Sequence, residues 1–336
     1  MLALAGTGVG ATVTAAAVLR ARRPPSVADH GPPPPSSRTV TADDGTSLHV
    51  ETDGDPGAPL TVVLTHGFTA RLGEWELQRE ALRGQARLVL WDQRGHGRSG
   101  WGPLTSATID QTGRDLGAIV DAVGGPGPIV LAGHSMGGMS VLALARQRPE
   151  LFGTRIVGVF LLATAASGLV QQGPVALAVQ RLADAGLLPV VLRGLQTAAP
   201  VLERLRRRGS RGRRAVTRRY LFGREDADPA LVRRVQDLLE ETPYPVTAAF
   251  YATFLTHDED AALDVVARVP STVVVGSDDR LTPARLSRHL AARLAPDVEL
   301  VVVPGAGHSV NITRAPVVDA AFLRLLQRAR TRAGLA

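Results

Sequence analysis

Six short apolar runs recur along the chain, and each is rich in valine and leucine. They are Leu60–Leu64, Arg87–Trp91, Pro128–Ala132, Val157–Leu162, Thr272–Val275 and Val298–Val303. Because the runs are nearly continuous rather than alternating, they are typical of strands that are buried on both faces. The runs therefore predict the strands of a sheet that helices cover on both sides.

Helical periodicity fills several stretches between these runs. One helix stripe contains Ile109, Leu116, Val120 and Val123, and a second periodic segment covers Val317–Gln327. Strands that alternate with helices indicate an α/β fold with a mostly parallel sheet.

The alternation stops between residues 166 and 258, where the pattern is helical throughout. Asp228 is a candidate N-cap and Pro229 a candidate first-turn residue of one helix there. A stretch of roughly ninety residues is too long for a loop, so we predict an inserted helical cap over 166–258. The α/β core is then expected to comprise residues 46–165 and 259–336.

The N-terminal residues differ from the rest in composition. Residues 1–19 carry no charge and precede Arg20, Arg22 and Arg23, so 1–23 is a candidate membrane anchor or signal. A disordered tail is the third alternative, because the segment is rich in Ala, Gly and Thr rather than Leu. Insertion would place the protein on the cytoplasmic face of the membrane; otherwise it is expected to be cytoplasmic or secreted. Residues 24–45 are rich in proline and predict a stiff linker.

Positive charge is concentrated in one segment of the chain. The formal net charge is +7, all 38 basic residues are arginine, and ten of them lie between Arg193 and Arg219 with Glu203 as the one acid. The segment is interpreted either as a solvated cap surface or as a contact for an anionic membrane surface. We expect no nucleic-acid partner, because no nucleic-acid-binding motif accompanies it. The absence of cysteine excludes thiol nucleophiles, disulfides and cysteine metal sites.

A G-x-S-x-G motif lies between the third apolar run and a helical pattern. Its residues are Gly133, His134, Ser135, Met136 and Gly137. The glycines allow a sharp turn that presents Ser135 Oγ above the sheet at the start of a helix. The motif predicts a nucleophile elbow, and the alternative is a tight packing turn.

Candidate partners of Ser135 follow the last two apolar runs. Asp278 and Asp279 come after one run, and His308 comes after the next. The carboxyl ends of parallel strands meet at one sheet edge, so the order Ser, Asp, His predicts a catalytic triad. Four other histidines do not follow a strand end after the acid, namely His30, His49, His257 and His289.

The end of the first apolar run supplies a candidate oxyanion hole. A turn at His66-Gly67-Phe68 would aim the Phe68 amide at the space above Ser135, and Met136 would supply a second amide. We interpret His66 as a structural residue that orients this turn rather than as a second base.

Five segments together resemble the α/β-hydrolase superfamily. They are HGF, WDQRGHGRSG, GHSMGG, GSDDRLTP and GAGHS, in this order. Within the superfamily, the chain resembles serine esterases, lipases and cofactor-free haloperoxidases over about residues 46–165 and 260–330. The resemblance implies an eight-stranded, mostly parallel sheet, a cap over the site and hydrolysis through an acyl-enzyme.

The resemblance also implies roles for individual residues. Ser135 takes the nucleophile position and His308 that of the base. Asp279 takes that of the acid, because the family's acid commonly stands four residues before a proline, here Pro283. Relatives with an aspartate at the nucleophile position form alkyl-enzymes, so Ser135 favours acyl transfer. Structural roles beside the elbow are implied for Asp92, Arg94 and His96.

The expected function is hydrolysis of a carboxylic ester, of a small molecule or a lipid, by an enzyme of the carboxylesterase or lipase type. Lactones and thioesters stay open as substrates because the cap sets specificity. Two alternatives are cofactor-free perhydrolase or haloperoxidase-like chemistry and a non-hydrolytic ligand-binding member of the fold. No metal and no organic cofactor are expected.

Overall fold

The computed structural model describes residues 36–169, 181–182, 185–187, 190–191, 194, 218–223, 229–240 and 242–335. The strands in these residues are β1 Ser36–Thr41, β2 Ser47–Asp53, β3 Thr61–Thr65, β4 Arg87–Trp91, β5 Ile129–His134, β6 Ile156–Leu162, β7 Ser271–Gly276 and β8 Val298–Val303. They form one sheet in the order β1-β2-β4-β3-β5-β6-β7-β8. Strands β3 to β8 are parallel, whereas β1 and β2 are antiparallel to their neighbours. The predicted α/β class, with an eight-stranded and mostly parallel sheet, is confirmed.

Helices connect most of these strands. In the described residues they are α1 Glu76–Leu82, α2 Ile109–Val123, α3 Met136–Gln147, α4 Pro229–Glu240, α5 Tyr244–Leu255, α6 Leu263–Val266, α7 Ala284–Leu294, α8 Val310–Thr313 and α9 Ala315–Arg332. The six apolar runs all form strands, and the two periodic segments lie in α2 and α9. Helix α2 begins after Thr108, whose hydroxyl accepts a hydrogen bond from the Gln111 amide at 3.1 Å and so caps the helix.

The prediction of a linker over 24–45 is wrong at its C-terminal end. Ser36–Thr41 forms β1, and its residues pair with β2 from Ser36 opposite Thr52 to Thr41 opposite Ser47. Val40 is the one buried residue of β1, so the strand has no apolar pattern to reveal it. Backbone pairing at the sheet edge forms this strand, and the core begins about ten residues earlier than expected.

Two apolar layers cover the sheet, one on each face. Because side chains alternate along a strand, Val63 of β3 enters one layer and Val62 and Leu64 enter the other. The first layer includes side chains of α2, α3, α6 and α7, and the second includes side chains of α1, α8 and α9. In the second layer the rings of Phe160 and Phe322 stack with centroids 4.2 Å apart. These layers fix the carboxyl ends of the parallel strands, where the candidate site lies.

The described part of the insertion between β6 and β7 is helical in several places, while residues 163–169 and 256–259 are not helical. It contains a turn at Arg218–Phe222 and the helices α4 and α5. The start of α4 at Pro229 agrees with the sequence, while Asp228 lies outside the described residues. Much of the predicted cap 166–258 and most of the arginine-rich segment also lie outside them, so both predictions stay open.

The candidate anchor at 1–23 lies entirely outside the described residues. Within the described part of the chain, no helix has the length and apolar character needed to cross a membrane.

Candidate active site

Ser135 occupies a sharp turn between β5 and α3. Its backbone has φ 50° and ψ −118°, a conformation that costs a non-glycine residue about 1–3 kcal/mol. Glycines make the turn possible: a Cβ on Gly133 would lie 2.4 Å from the Gly137 backbone, and one on Gly137 would lie 2.2 Å from Thr65 O. Thr164 Oγ1, two residues after the end of β6, donates to Ser135 O at 2.7 Å and holds the turn.

His308 and Asp279 lie in direct contact after β8 and β7. His308 Nδ1 and Asp279 Oδ2 are 2.8 Å apart, and neither side chain is more than 6% exposed. Burial opposes the charge of Asp279, but His308 and the hydrogen bonds from Thr282 outweigh it and hold the pKa of Asp279 below its ordinary value. The carboxylate therefore stays ionised beside the imidazole.

The loop after β7 fixes the Asp279 carboxylate from both sides. The amides of Leu281 and Thr282 donate to Oδ1 at 2.8 and 2.9 Å, and Thr282 Oγ1 donates to Oδ2 at 2.8 Å. Asp278, the alternative acid, is half-buried and accepts a hydrogen bond from Ser277 Oγ at 3.0 Å. The structure thus brings His308 to Asp279 and not to its neighbour.

Ser135 lies beside this pair without a direct bond to it. His134, the preceding residue, has Nε2 3.2 Å from His308 O, and the two imidazole rings have centroids 4.8 Å apart. In the described residues no hydrogen bond joins Ser135 Oγ to His308. Catalytic hydrogen bonds are often long before substrate binds, so this geometry is compatible with proton transfer.

The candidate oxyanion donors are the backbone amides of Phe68 and Met136. The turn after β3 packs on the elbow so closely that a Cβ on Gly67 would lie 3.4 Å from Ser135 Cβ. Met136 is the first residue of α3, where backbone N–H groups lack helical partners. Neither the Phe68 amide nor the Met136 amide donates a hydrogen bond to another described residue. Both donors are therefore available to an incoming oxygen.

An apolar cluster lines the side of the site formed by α5. The Phe68 ring meets the Phe254 ring edge to face, with centroids 5.0 Å apart, and Phe250 lies 6.1 Å away. The same cluster contains Met136 and Met139 of α3. The surface next to the proposed oxyanion hole is thus apolar and aromatic.

The loop after β4 supports the turn that carries Phe68. Asp92 accepts hydrogen bonds from the amides of Leu72 and Arg98 at 2.7 and 2.8 Å. Arg94 is fully buried, and Asp115 binds two of its nitrogens at 2.6 and 2.7 Å. His96 Nε2 accepts from the Thr69 amide at 3.1 Å, and burial lowers the pKa of His96 to about 3. These contacts are structural, as the family resemblance implies.

His66 also has structural contacts. Its Nδ1 lies 2.7 Å from Gly67 O, and its Nε2 accepts from the Gln93 amide at 2.9 Å. Burial lowers the pKa of His66, so the ring is neutral and orients the turn.

Sequence reasoning missed two groups near the site. Thr282 binds Asp279, and its position three residues downstream is the spacing of a common side-chain turn, which is a usable signal. Glu74 accepts from the Gly67 amide at 2.7 Å and lies 2.9 Å from His134 Nδ1. No local pattern identifies Glu74, because its partners are distant in sequence or backbone atoms. The described residues contain no group of three or more acidic or histidine side chains arranged to hold a metal ion.

Known proteins are similar in sequence to most of this chain. The model of the alpha/beta hydrolase family matches residues 62–320. A Klebsiella pneumoniae (strain 342) protein provisionally named carbamate hydrolase RutD is 30% identical over 275 residues, which cover 77% of this chain and 88% of that protein. The dihydrolipoyllysine-residue acetyltransferase component of the acetoin cleaving system of Pseudomonas putida is 29% identical over 83% of this chain. That match spans 66% of the Pseudomonas protein.

A solved structure shows the same architecture. The thermophilic esterase from Thermogutta terrifontis, with malate bound, superimposes with a TM-score of 0.66 at 25% identity. The match covers 88% of this chain and 99% of the esterase chain.

Proposed function

This chain belongs to the alpha/beta hydrolase family, and on that premise we propose that it is a serine hydrolase that cleaves carboxylic esters through an acyl-enzyme. The observation that carries the proposal is the buried 2.8 Å contact between His308 Nδ1 and Asp279 Oδ2 beside the Ser135 elbow. This contact keeps the Nδ1 proton on the side of the acid, so Nε2 can accept a proton from the serine.

Acylation begins when Ser135 Oγ forms a bond to the carbonyl carbon of the ester. Its proton passes to His308 Nε2, and Asp279 stabilises the resulting imidazolium. The amides of Phe68 and Met136 donate to the carbonyl oxygen as it becomes negative, and one such donor contributes about 10²–10³ in rate. His308 then gives the proton to the departing alcohol as the bond between carbon and the alcohol oxygen breaks.

Deacylation repeats these steps with water. His308 accepts one water proton while the water oxygen bonds to the acyl carbon, and the same amides hold the oxyanion. The proton returns to Ser135 Oγ when its bond to carbon breaks, and the carboxylic acid leaves. The free enzyme is restored.

The apolar cluster around Phe68 and Phe254 supports a substrate with an apolar acyl or alkyl group. The neighbouring esterase structure supports an ester. A carbamate, as in the name of the Klebsiella relative, has a carbonyl that the same groups can attack, so carbamates belong in the substrate panel.

The test measures hydrolysis of p-nitrophenyl esters of increasing acyl length and labelling by a serine-reactive fluorophosphonate. Wild type should turn over and label, and Ser135→Ala should lose about 10⁶ in kcat and not label. Ser167→Ala is the matched control, because Ser167 Oγ donates to Asp260 at 3.1 Å and not to a residue of the elbow. Labelling of Ser135→Ala, or failure of wild type on the whole panel and with the probe, would refute the proposal.

A further inference from the structure

A buried pair of opposite charges lies beneath the candidate site. Glu74, in the turn Leu72–Trp75, and His134, directly before Ser135, have side chains that are 7% and 3% exposed. Glu74 Oε1 lies 2.9 Å from His134 Nδ1. His134 Nδ1 makes no hydrogen bond of normal angle to a described residue, so the contact is an ion pair rather than a linear hydrogen bond.

Each member of the pair also contacts a part of the proposed machinery. Glu74 Oε2 accepts the Gly67 amide at 2.7 Å, one residue before Phe68. His134 Nε2 lies 3.2 Å from His308 O and can donate to it. One ion pair therefore joins the oxyanion turn, the elbow and the loop of the base.

Each group of the pair favours the charged form of the other. Burial opposes ionisation of Glu74, but His134 and the Gly67 amide outweigh it and lower the pKa of Glu74. Burial also opposes the cation of His134, but Glu74 outweighs it and raises the pKa of His134. The other titratable groups that face His134 are His66, Asp279 and His308.

We propose that Glu74 and His134 are positioning residues, which fix the Gly67–Phe68 amides and the His308 backbone relative to Ser135. The inference rests on the hydrolysis proposed above. A Cβ on Gly67 would lie 2.8 Å from His134 Nδ1, so the turn packs directly against His134. The Glu74 carboxylate accepts the Gly67 amide and thereby holds the turn in this position. Buried ion pairs seldom add net stability over an apolar pair, which favours a geometric role.

The experiment compares Glu74→Gln with the matched control Glu51→Gln. Glu51 is equally buried at 7% exposed and pairs with Arg79 at 2.9 Å and with Arg98 at 3.3 Å, but it contacts neither the Gly67 amide nor His134. Ester hydrolysis is normalised to active sites titrated with the fluorophosphonate, and melting temperatures are recorded. A displacement of about 1 Å costs about 10² in rate, so Glu74→Gln should lose roughly 10–100-fold in kcat with KM nearly unchanged. The control should keep its kcat.

The pH profile separates positioning from simple stabilisation. In wild type, kcat should fall on the alkaline side as His134 loses its proton and the ion pair breaks. In Glu74→Gln, which has no ion pair to lose, and in Glu74→Gln/His134→Asn, this fall should be absent. A Glu74→Gln variant that melts earlier but keeps wild-type kcat per titrated site and the wild-type profile would overturn the proposal.

Failure of the proposed function leaves a different signature. If wild type neither hydrolyses esters nor labels, hydrogen exchange of the Gly67 amide decides the question. Exchange should be at least about tenfold faster in Glu74→Ala, which removes the acceptor of that amide, than in wild type and unchanged in Glu51→Ala. Equal exchange in all three proteins would refute the positioning role.

Discussion

Asp279→Asn should stop catalysis by fixing the wrong tautomer of His308. The amides of Leu281 and Thr282 donate to Asp279 Oδ1 at 2.8 and 2.9 Å, so an asparagine must keep its oxygen at that position. Its NH₂ group then faces His308 Nδ1 in place of Oδ2. Nδ1 must accept that hydrogen bond, which leaves the ring proton on Nε2, where it cannot take the proton of Ser135.

The expected loss is about 10⁴ in kcat, or about 5.4 kcal/mol of transition-state stabilisation. The assay is hydrolysis of a p-nitrophenyl ester at neutral pH with KM measured in parallel, since the loss should lie in kcat. Asp278→Asn is the control, because Asp278 accepts from Ser277 and not from His308. More than about a tenth of wild-type kcat in Asp279→Asn, or an equal loss in Asp278→Asn, would refute the reasoning.

Three further outcomes follow from the described contacts. Gly67→Ala should lower kcat by about 10², because its Cβ would lie 2.8 Å from His134 Nδ1; kcat equal to wild type would contradict this. The melting temperature of wild type should fall towards that of Glu74→Gln as pH rises above about 6.5. Because the pKa of His134 is raised in the folded protein, its protonation stabilises the fold fully below that pH, and this stabilisation is lost as pH rises through the raised pKa. Parallel curves of melting temperature against pH for the two proteins would contradict the ion pair. Removing residues 1–35 should leave a folded, active protein, whereas removing 1–41 also deletes β1 and should lower the melting temperature. Sedimentation with membranes of the full chain but not of the shorter one would support the anchor.

The sequence revealed those parts of the fold that depend on burial. Five of the six parallel strands were predicted because both of their faces enter the apolar layers, which forces a continuous run such as that of β5. Strand β8, at the sheet edge, has an apolar run although Val303 is its one buried residue. The apolar pattern did not predict strand β1, because Val40 is its one buried residue. An edge strand can form from backbone pairing alone, which leaves no trace in side-chain pattern.

The residues of the candidate site were also predicted only in part from the sequence. Ser135 and His308 follow strand ends, so the chain order of the strands predicts that both lie at one edge of the sheet. Glu74 was missed because its partners are a backbone amide and a histidine from another segment. A charged residue next to Trp75 in the sequence has no feature that separates it from an exposed one, and tertiary contact alone shows that it is buried.

Four buried histidines meet at this sheet edge, and their partners separate their chemistry. His66 and His96 each accept a backbone N–H at Nε2 and have their other nitrogen on a carbonyl, so both are held neutral. His134 has Nδ1 against Glu74 and Nε2 on the carbonyl of His308. His308 has Nδ1 on Asp279 and makes no hydrogen bond through Nε2 to any described residue. Proton transfer needs a ring nitrogen that can exchange partners, so the contacts of these four histidines support the proposal that His308 acts as the base.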